Sequence, residues 1–180
     1  MTRRHIHYEA AFEDYLRSNA VPYVPVDEHR KAVFAGARVK SFDFLVYWAV
    51  GPGWIVDVKG RKYPYDTKSS KRYWENWVTR ADFHGLESWQ AVFGDGFVAV
   101  FVFAYWLIGD NDRLPASCVH AFRDQRYAFL AVTLDSYRRH CRPRSASWDT
   151  VALSTAMFRR LARPVREFSS GPFTTSPQAL

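Results

Sequence analysis

Residues 41–63 read SFDFLVYW, then AVGPG, then WIVDVKGRKY: an apolar run, a turn, and a second apolar run interrupted by an acid and a base. Two β-branched and aromatic segments joined through Gly51-Pro52-Gly53 predict a hairpin of strands over 41–48 and 54–63. Asp57 and Lys59 are two apart on the second strand, so both project from one face, while Val56 and Val58 face the other way. Charges in so apolar a segment are costly unless paired or liganded. Asp43 stands one hairpin partner away in an equally apolar strand. Two carboxylates and an ammonium at one sheet surface make a hard-cation site, of the kind Mg²⁺ uses at phosphates, with a positioned base beside it.

Outward from the hairpin, FVAVFVFAYWLI (97–108) is a 12-residue apolar run. A membrane helix needs about 20 residues, so the run reads as a buried central strand. Upstream, Tyr8, Ala11, Phe12, Tyr15 and Leu16 form an apolar stripe at helical spacing, predicting a helix from His5 to Ser18 with Glu9 at the stripe border. The helix must end before Pro22, and Val21 to Val26, with two prolines, suits an edge strand. A second helix is expected from Asp82, as N-cap, to Phe93, with Gln90 in its buried stripe. A further strand is expected near Tyr127 to Thr133, and a helical, basic part after it. This order predicts an α/β (α+β) fold: a mixed sheet flanked by helices.

The chain has 180 residues, 48% apolar and 24% charged. That suits a single domain over residues 1–167 and excludes disorder, collagen and coiled coil as whole-chain readings. Residues 168–180, rich in Ser, Thr, Gly and Pro, are expected to form a disordered tail. Cys118 and Cys141 lack CxxC or paired-His spacing, which excludes a disulfide framework or zinc site. The N-terminal stretch has no apolar signal region, so a soluble, cytoplasmic protein without membrane contact is expected.

The net charge of +7 is unevenly placed. Residues 1–112 carry 14 basic and 14 acidic side chains, whereas residues 113–180 carry 11 Arg against 4 acids. Arg138-Arg139, Arg142-Pro143-Arg144 beside Trp148, and Arg159-Arg160 with Arg163 predict a phosphate-tracking surface. Arg61 and Lys62, just after the acid-base pair, are candidates for the same role or for a solvated strand end. Trp74 and Trp77 are read either as base-stacking platforms or, with more weight, as core.

Glu9 in the first helix, then Ser41-Phe42-Asp43, then Asp57-Val58-Lys59, resembles the PD-(D/E)XK nuclease superfamily. Within it, Glu9 through Val21 resembles the opening of archaeal Holliday-junction resolvases, and HIHYEAAFE resembles a bacterial group named for its HYExAFE box. The resemblance covers residues 5–107; the basic part, 113–167, has no matching motif, and Phe42 replaces the family's proline. It implies a restriction-endonuclease-like fold and a Mg²⁺-dependent nuclease, with Mn²⁺ as substitute, acting on nucleic acid, DNA ahead of RNA. It also implies Asp43, Asp57, the Val58 carbonyl and Glu9 as metal ligands, and Lys59 as the group that orients or deprotonates water. Gln90 resembles the family's helical glutamine, without its usual downstream Tyr. Many relatives are homodimers.

Each residue also has a plainer reading. Asp57 with Lys59 reads as a surface salt bridge, Asp43 as a turn cap, Glu9 as a solvated helix residue, and Gln90 as a structural hydrogen bonder. The alternative function is a nuclease-fold module that binds nucleic acid or a protein partner without cutting.

Overall fold

The computed structural model of the protein describes residues 6–26, 32–34, 37–64, 73–109 and 114–170. In chain order its elements are α1 (Ile6–Ser18), β1 (Tyr23–Pro25), β2 (Ala32–Phe34), β3 (Ala37–Val39), β4 (Phe44–Val46), β5 (Gly53–Tyr63) and β6 (Val78–Thr79). Then follow α2 (Arg80–Phe93), β7 (Phe97–Leu107), β8 (His120–Phe122), β9 (Gln125–Thr133) and α3 (Leu134–His140). The chain continues with β10 (Arg142–Ser145), β11 (Thr150–Ala152), α4 (Thr155–Leu161) and β12 (Arg163–Pro164).

The two longest strands, β5 and β7, lie side by side in parallel, from Gly53↔Phe97 to Tyr63↔Leu107. Parallel neighbours need a crossover, and α2 lies between them in the chain. The remaining pairings of the main sheet are antiparallel, in the order β1-β4-β5-β7-β9-β12, with β8 also on β9. β7 is central, and its residues from Val100 to Tyr105 have no exposed surface. A strand covered on both faces reads as a continuous apolar run, which is why 97–108 shows no alternation.

One face of the sheet, bearing Val56, Val58, Val100 and Val102, packs against Tyr8, Ala11, Phe12 and Leu16 of α1. Gly60 is required there, because a Cβ would run into the Tyr8 ring. The other face, bearing Ile55, Phe101, Phe103 and Tyr105, packs against Leu86 of α2, Tyr137 of α3 and Phe158 of α4. The architecture is mixed α/β, with helices on both sides of a mixed sheet.

Three expectations are corrected. The C-terminal third is not a helical extension: α3 and α4 have seven residues each, and β9 and β12 belong to the main sheet. The unbroken apolar run 127–132 ties that segment to the core, where pairing decides its place. α2 begins earlier than Asp82, with Thr79 as its N-cap. Phe168, at the start of the expected tail, packs edge-on against Trp54 at 4.7 Å. His5, the expected start of the first helix, and residues 171–180 of the tail lie outside the described residues. No helix among the described residues is long and apolar enough to cross a membrane.

Candidate active site

β4 pairs with β5 only through Phe44↔Val56, Leu45↔Ile55 and Val46↔Trp54. Continuing this register one step would set Asp43 opposite Asp57, and there the strands part. The Asp43 amide donates to the Val56 carbonyl at 2.8 Å, and its carboxylate Oδ2 accepts from the Val58 amide at 2.5 Å. A side chain thus replaces the next backbone acceptor. In a strand the N–H and C=O of one residue point to the same neighbour, so the Val58 carbonyl faces the same gap as Asp43.

Asp57 and Lys59 share one face, as their spacing predicts, and α2 lies over it, with Asp82 reaching Lys59. Asp43 and Asp57 are 5% and 4% exposed. The Lys59 ammonium lies 2.8 Å from Asp57 Oδ1 and 3.0 Å from Asp82 Oδ1, with its side chain 12% exposed. This is a buried pair rather than a surface bridge. Lys40 Nζ also pairs with Asp82 Oδ1.

Asp82 is the residue the sequence reading left out of the site, having taken it only as a helix cap. It occupies the third helical position of α2 in a capping box. Its Oδ2 accepts from the Thr79 amide at 2.9 Å and the Thr79 hydroxyl at 2.7 Å, and its own amide donates to Thr79 Oγ1 at 3.1 Å. Thr79-x-x-Asp82 is legible as a capping box, and the helix N-terminus favours a carboxylate there. Nothing in the linear sequence ties it to Lys59.

Burial, with repulsion from Asp82, pushes the Asp57 carboxyl above its ordinary range, against the pull of Lys59. Burial opposes the Lys59 charge, but Asp57 and Asp82 outweigh it and hold the ammonium above its ordinary range. Asp82 is held below the usual carboxylate range: burial works against this, and Lys59 and Lys40 overcome it. The site therefore presents a fixed cation between two carboxylates, at the mouth of a strand gap lined by a third.

α1, which carries Glu9, packs through Tyr8, Ala11, Phe12 and Leu16 on the sheet face of Val56 and Val58, the face opposite Asp57 and Lys59. Gln90 is committed to backbone: its Nε2 donates to the Phe97 carbonyl at 2.7 Å and the Gly94 carbonyl at 3.3 Å, and its Oε1 accepts from the Ala99 amide. That pins the start of β7 to α2. At about 1.5 Å rise per residue, Gln90 lies roughly 12 Å along the helix from Asp82, so its assignment beside the carboxylates is corrected to a structural one.

Arg61 is also corrected. It is 8% exposed, donates to the carbonyls of Gly60 and Trp77, and stacks over the Trp77 ring at 4.0 Å. Burial lowers its pKa. It staples the segment 73–77 onto the sheet, together with the Tyr105 hydroxyl on the Glu75 carbonyl and the Tyr137 hydroxyl on the Asn76 carbonyl. In the same segment Trp74 stacks on Tyr63 at 3.8 Å, and Trp77 is half-buried. Lys62 is exposed on the opposite side of β5, 5.1 Å from the Trp106 ring. Arg138 and Arg139 are exposed on α3 and share Asp135, at 3.3 and 2.8 Å. Arg142 and Arg144 are exposed on β10.

Among the described residues no group of three metal-ligating side chains is present. Mg²⁺ does not require one, since it commonly takes one or two carboxylates and keeps several waters. Asp43, Asp57 and the Val58 carbonyl are hard oxygen donors of the type that requirement names, Asp43 being bonded to the Val58 amide. No family model matches the chain, and no curated protein matches it.

Proposed function

We propose that this protein is a metal-dependent nuclease with a restriction-endonuclease-like fold, hydrolysing phosphodiesters in DNA. The supporting observation is the buried Asp57–Lys59–Asp82 ion cluster, set where β4 leaves β5 and Asp43 fills the gap. Desolvating such charges costs several kcal/mol per ion, and fold stability alone gives no reason to place them there. Asp43, Asp57 and the Val58 carbonyl would hold Mg²⁺, or Mn²⁺ in its place. The bound ion would supply Lewis-acid stabilisation of the phosphoryl oxygens and a water of lowered pKa.

Lys59, kept protonated by its two carboxylates, is an orienting cation rather than a general base. It would align the attacking water by hydrogen bonding and stabilise negative charge developing on the phosphoryl group. Asp82 is a positioning residue: tied to Thr79 at the start of α2, it fixes the ammonium from the side opposite Asp57.

The experiment is cleavage of plasmid, four-way junction, single-stranded DNA and RNA with Mg²⁺ or Mn²⁺. Loss of cleavage in Asp57→Ala and Lys59→Ala supports the proposal; a rate in both variants equal to that of the native protein overturns it. One observation favours the alternative of a binding module that does not cut: Gln90 serves the fold and not the site. Affinity that survives chelation, with no cleavage of any substrate, would establish that reading instead.

A further inference from the structure

We propose that the β10–β11 hairpin is a docking arm for an unpaired strand of DNA, with Trp148 at its tip as the base-stacking residue. This deepens the nuclease proposal and rests on its nucleic-acid substrate. Trp148 is 77% exposed, the most exposed large apolar side chain among the described residues. Folding gains nothing from a Trp held in water, yet the turn that carries it is firmly built. The Trp148 amide donates to Ser145 Oγ at 3.3 Å, and the Ser145 and Ser147 hydroxyls bond at 3.1 Å. Asp149 adopts a positive φ of 44°; its carbonyl accepts from the Arg80 amide at 2.9 Å, and its carboxylate pairs with Arg80 Nε at 3.0 Å. The tip is anchored to the first residue of α2, two positions before Asp82.

β11 extends this link, pairing Thr150↔Thr79 and Val151↔Val78 on β6. About 5 Å, one strand spacing, therefore separates the hairpin backbone from the threonine that holds Asp82. The hairpin is also cationic. Its register shifts between Pro143 and Ser145, so Arg144 is the bulged residue, and bulges re-aim side chains. The Arg144 guanidinium sits 5.4 Å over the Trp77 ring and 3.8 Å from Glu75. Arg142 is exposed, with no carboxylate partner among the described residues. An aromatic plane beside arginines suits splayed bases and their phosphates; a duplex keeps its base faces stacked and out of reach.

The test measures anisotropy of labelled oligo(dT), oligo(rU) and a duplex of equal length, in chelator so that no cutting occurs. The native protein should bind oligo(dT) tightest. Trp148→Ala should weaken oligo(dT) binding by roughly 5- to 150-fold, as expected for one lost stack, and leave duplex binding unchanged. Trp148→Phe should restore most of it. Arg142→Ala should weaken all three ligands alike and lower the salt slope by about 1. An unchanged oligo(dT) affinity in Trp148→Ala, an equal loss on the duplex, or no rescue by Phe overturns the proposal. Tighter binding of oligo(rU) overturns the assignment to DNA. Trp148-dependent binding without metal-dependent cleavage would sink the nuclease reading alone, and cleavage with no Trp148 effect on binding would sink the docking arm alone.

Discussion

Replacing Lys59 by methionine removes the ammonium that touches both Asp57 and Asp82 while keeping most of the side-chain volume. In the native protein that group lies 2.8 and 3.0 Å from the two carboxylates. Lys40 still serves Asp82 in the variant, but Asp57, 4% exposed, loses the cation that touches it. Removing one partner of a buried pair costs about 3–5 kcal/mol. At about 2–4 °C per kcal/mol for a chain of this size, melting should fall by roughly 6–20 °C.

The pH dependence follows from the direction of the Asp57 shift. Its folded pKa is already raised by burial and rises further without Lys59. A carboxyl raised on folding opposes folding above its folded pKa and stops doing so as pH falls toward the unfolded value of about 3.9. The deficit should be larger at neutral pH than in acid, shrinking on acidification. Urea denaturation followed by tryptophan fluorescence at several pH values measures this, and Lys59→Met with Asp57→Leu should recover most of the loss. A neutral-pH midpoint equal to that of the native protein, or a deficit that does not shrink in acid, would refute the reasoning.

Asp82 shifts the opposite way, held down by Lys59 and Lys40 against burial, so it stabilises the fold above the unfolded carboxylate value and ceases to as pH falls through its folded value. Asp82→Asn should lower the unfolding free energy measured in urea at neutral pH by about 1–3 kcal/mol and flatten the acid limb of the stability profile. Gln90→Ala leaves the Ala99 amide and Phe97 carbonyl without their side-chain partner, and should cost about 1–3 kcal/mol in urea. Faster hydrogen exchange at Ala99 is the local signature to look for.

Legibility divided along physical lines. Alternation placed Asp57 and Lys59 on one face, and the unbroken run over 97–108 placed β7 at the centre, because side-chain period and burial are local properties of a strand. The same local rules put Gln90 in the stripe of α2, and it is there, but they could not tell which groups its amide would meet. Arg61 follows Lys59 by two and shares its face, yet the segment 73–77 folds over it and turns a candidate phosphate ligand into a staple. Asp82 had a visible local role as part of a helix cap. Its second role depends on α2 crossing β5 at Lys59, a long-range contact with no local pattern.

By itself the sequence determined that two charges lie on one face of an apolar strand, beside a hairpin partner carrying a third, in a mixed α/β chain with its positive excess in the last third. Those statements need only strand periodicity, turn chemistry and counting. The tertiary structure decided the rest. It packed α1 on the Val56–Val58 face of the sheet; it brought Asp82 to Lys59; and it held the Trp148 tip against the start of α2. Each depends on which face of the sheet a helix or hairpin covers. That choice is made by packing between segments distant in the chain, which no periodicity within a segment encodes.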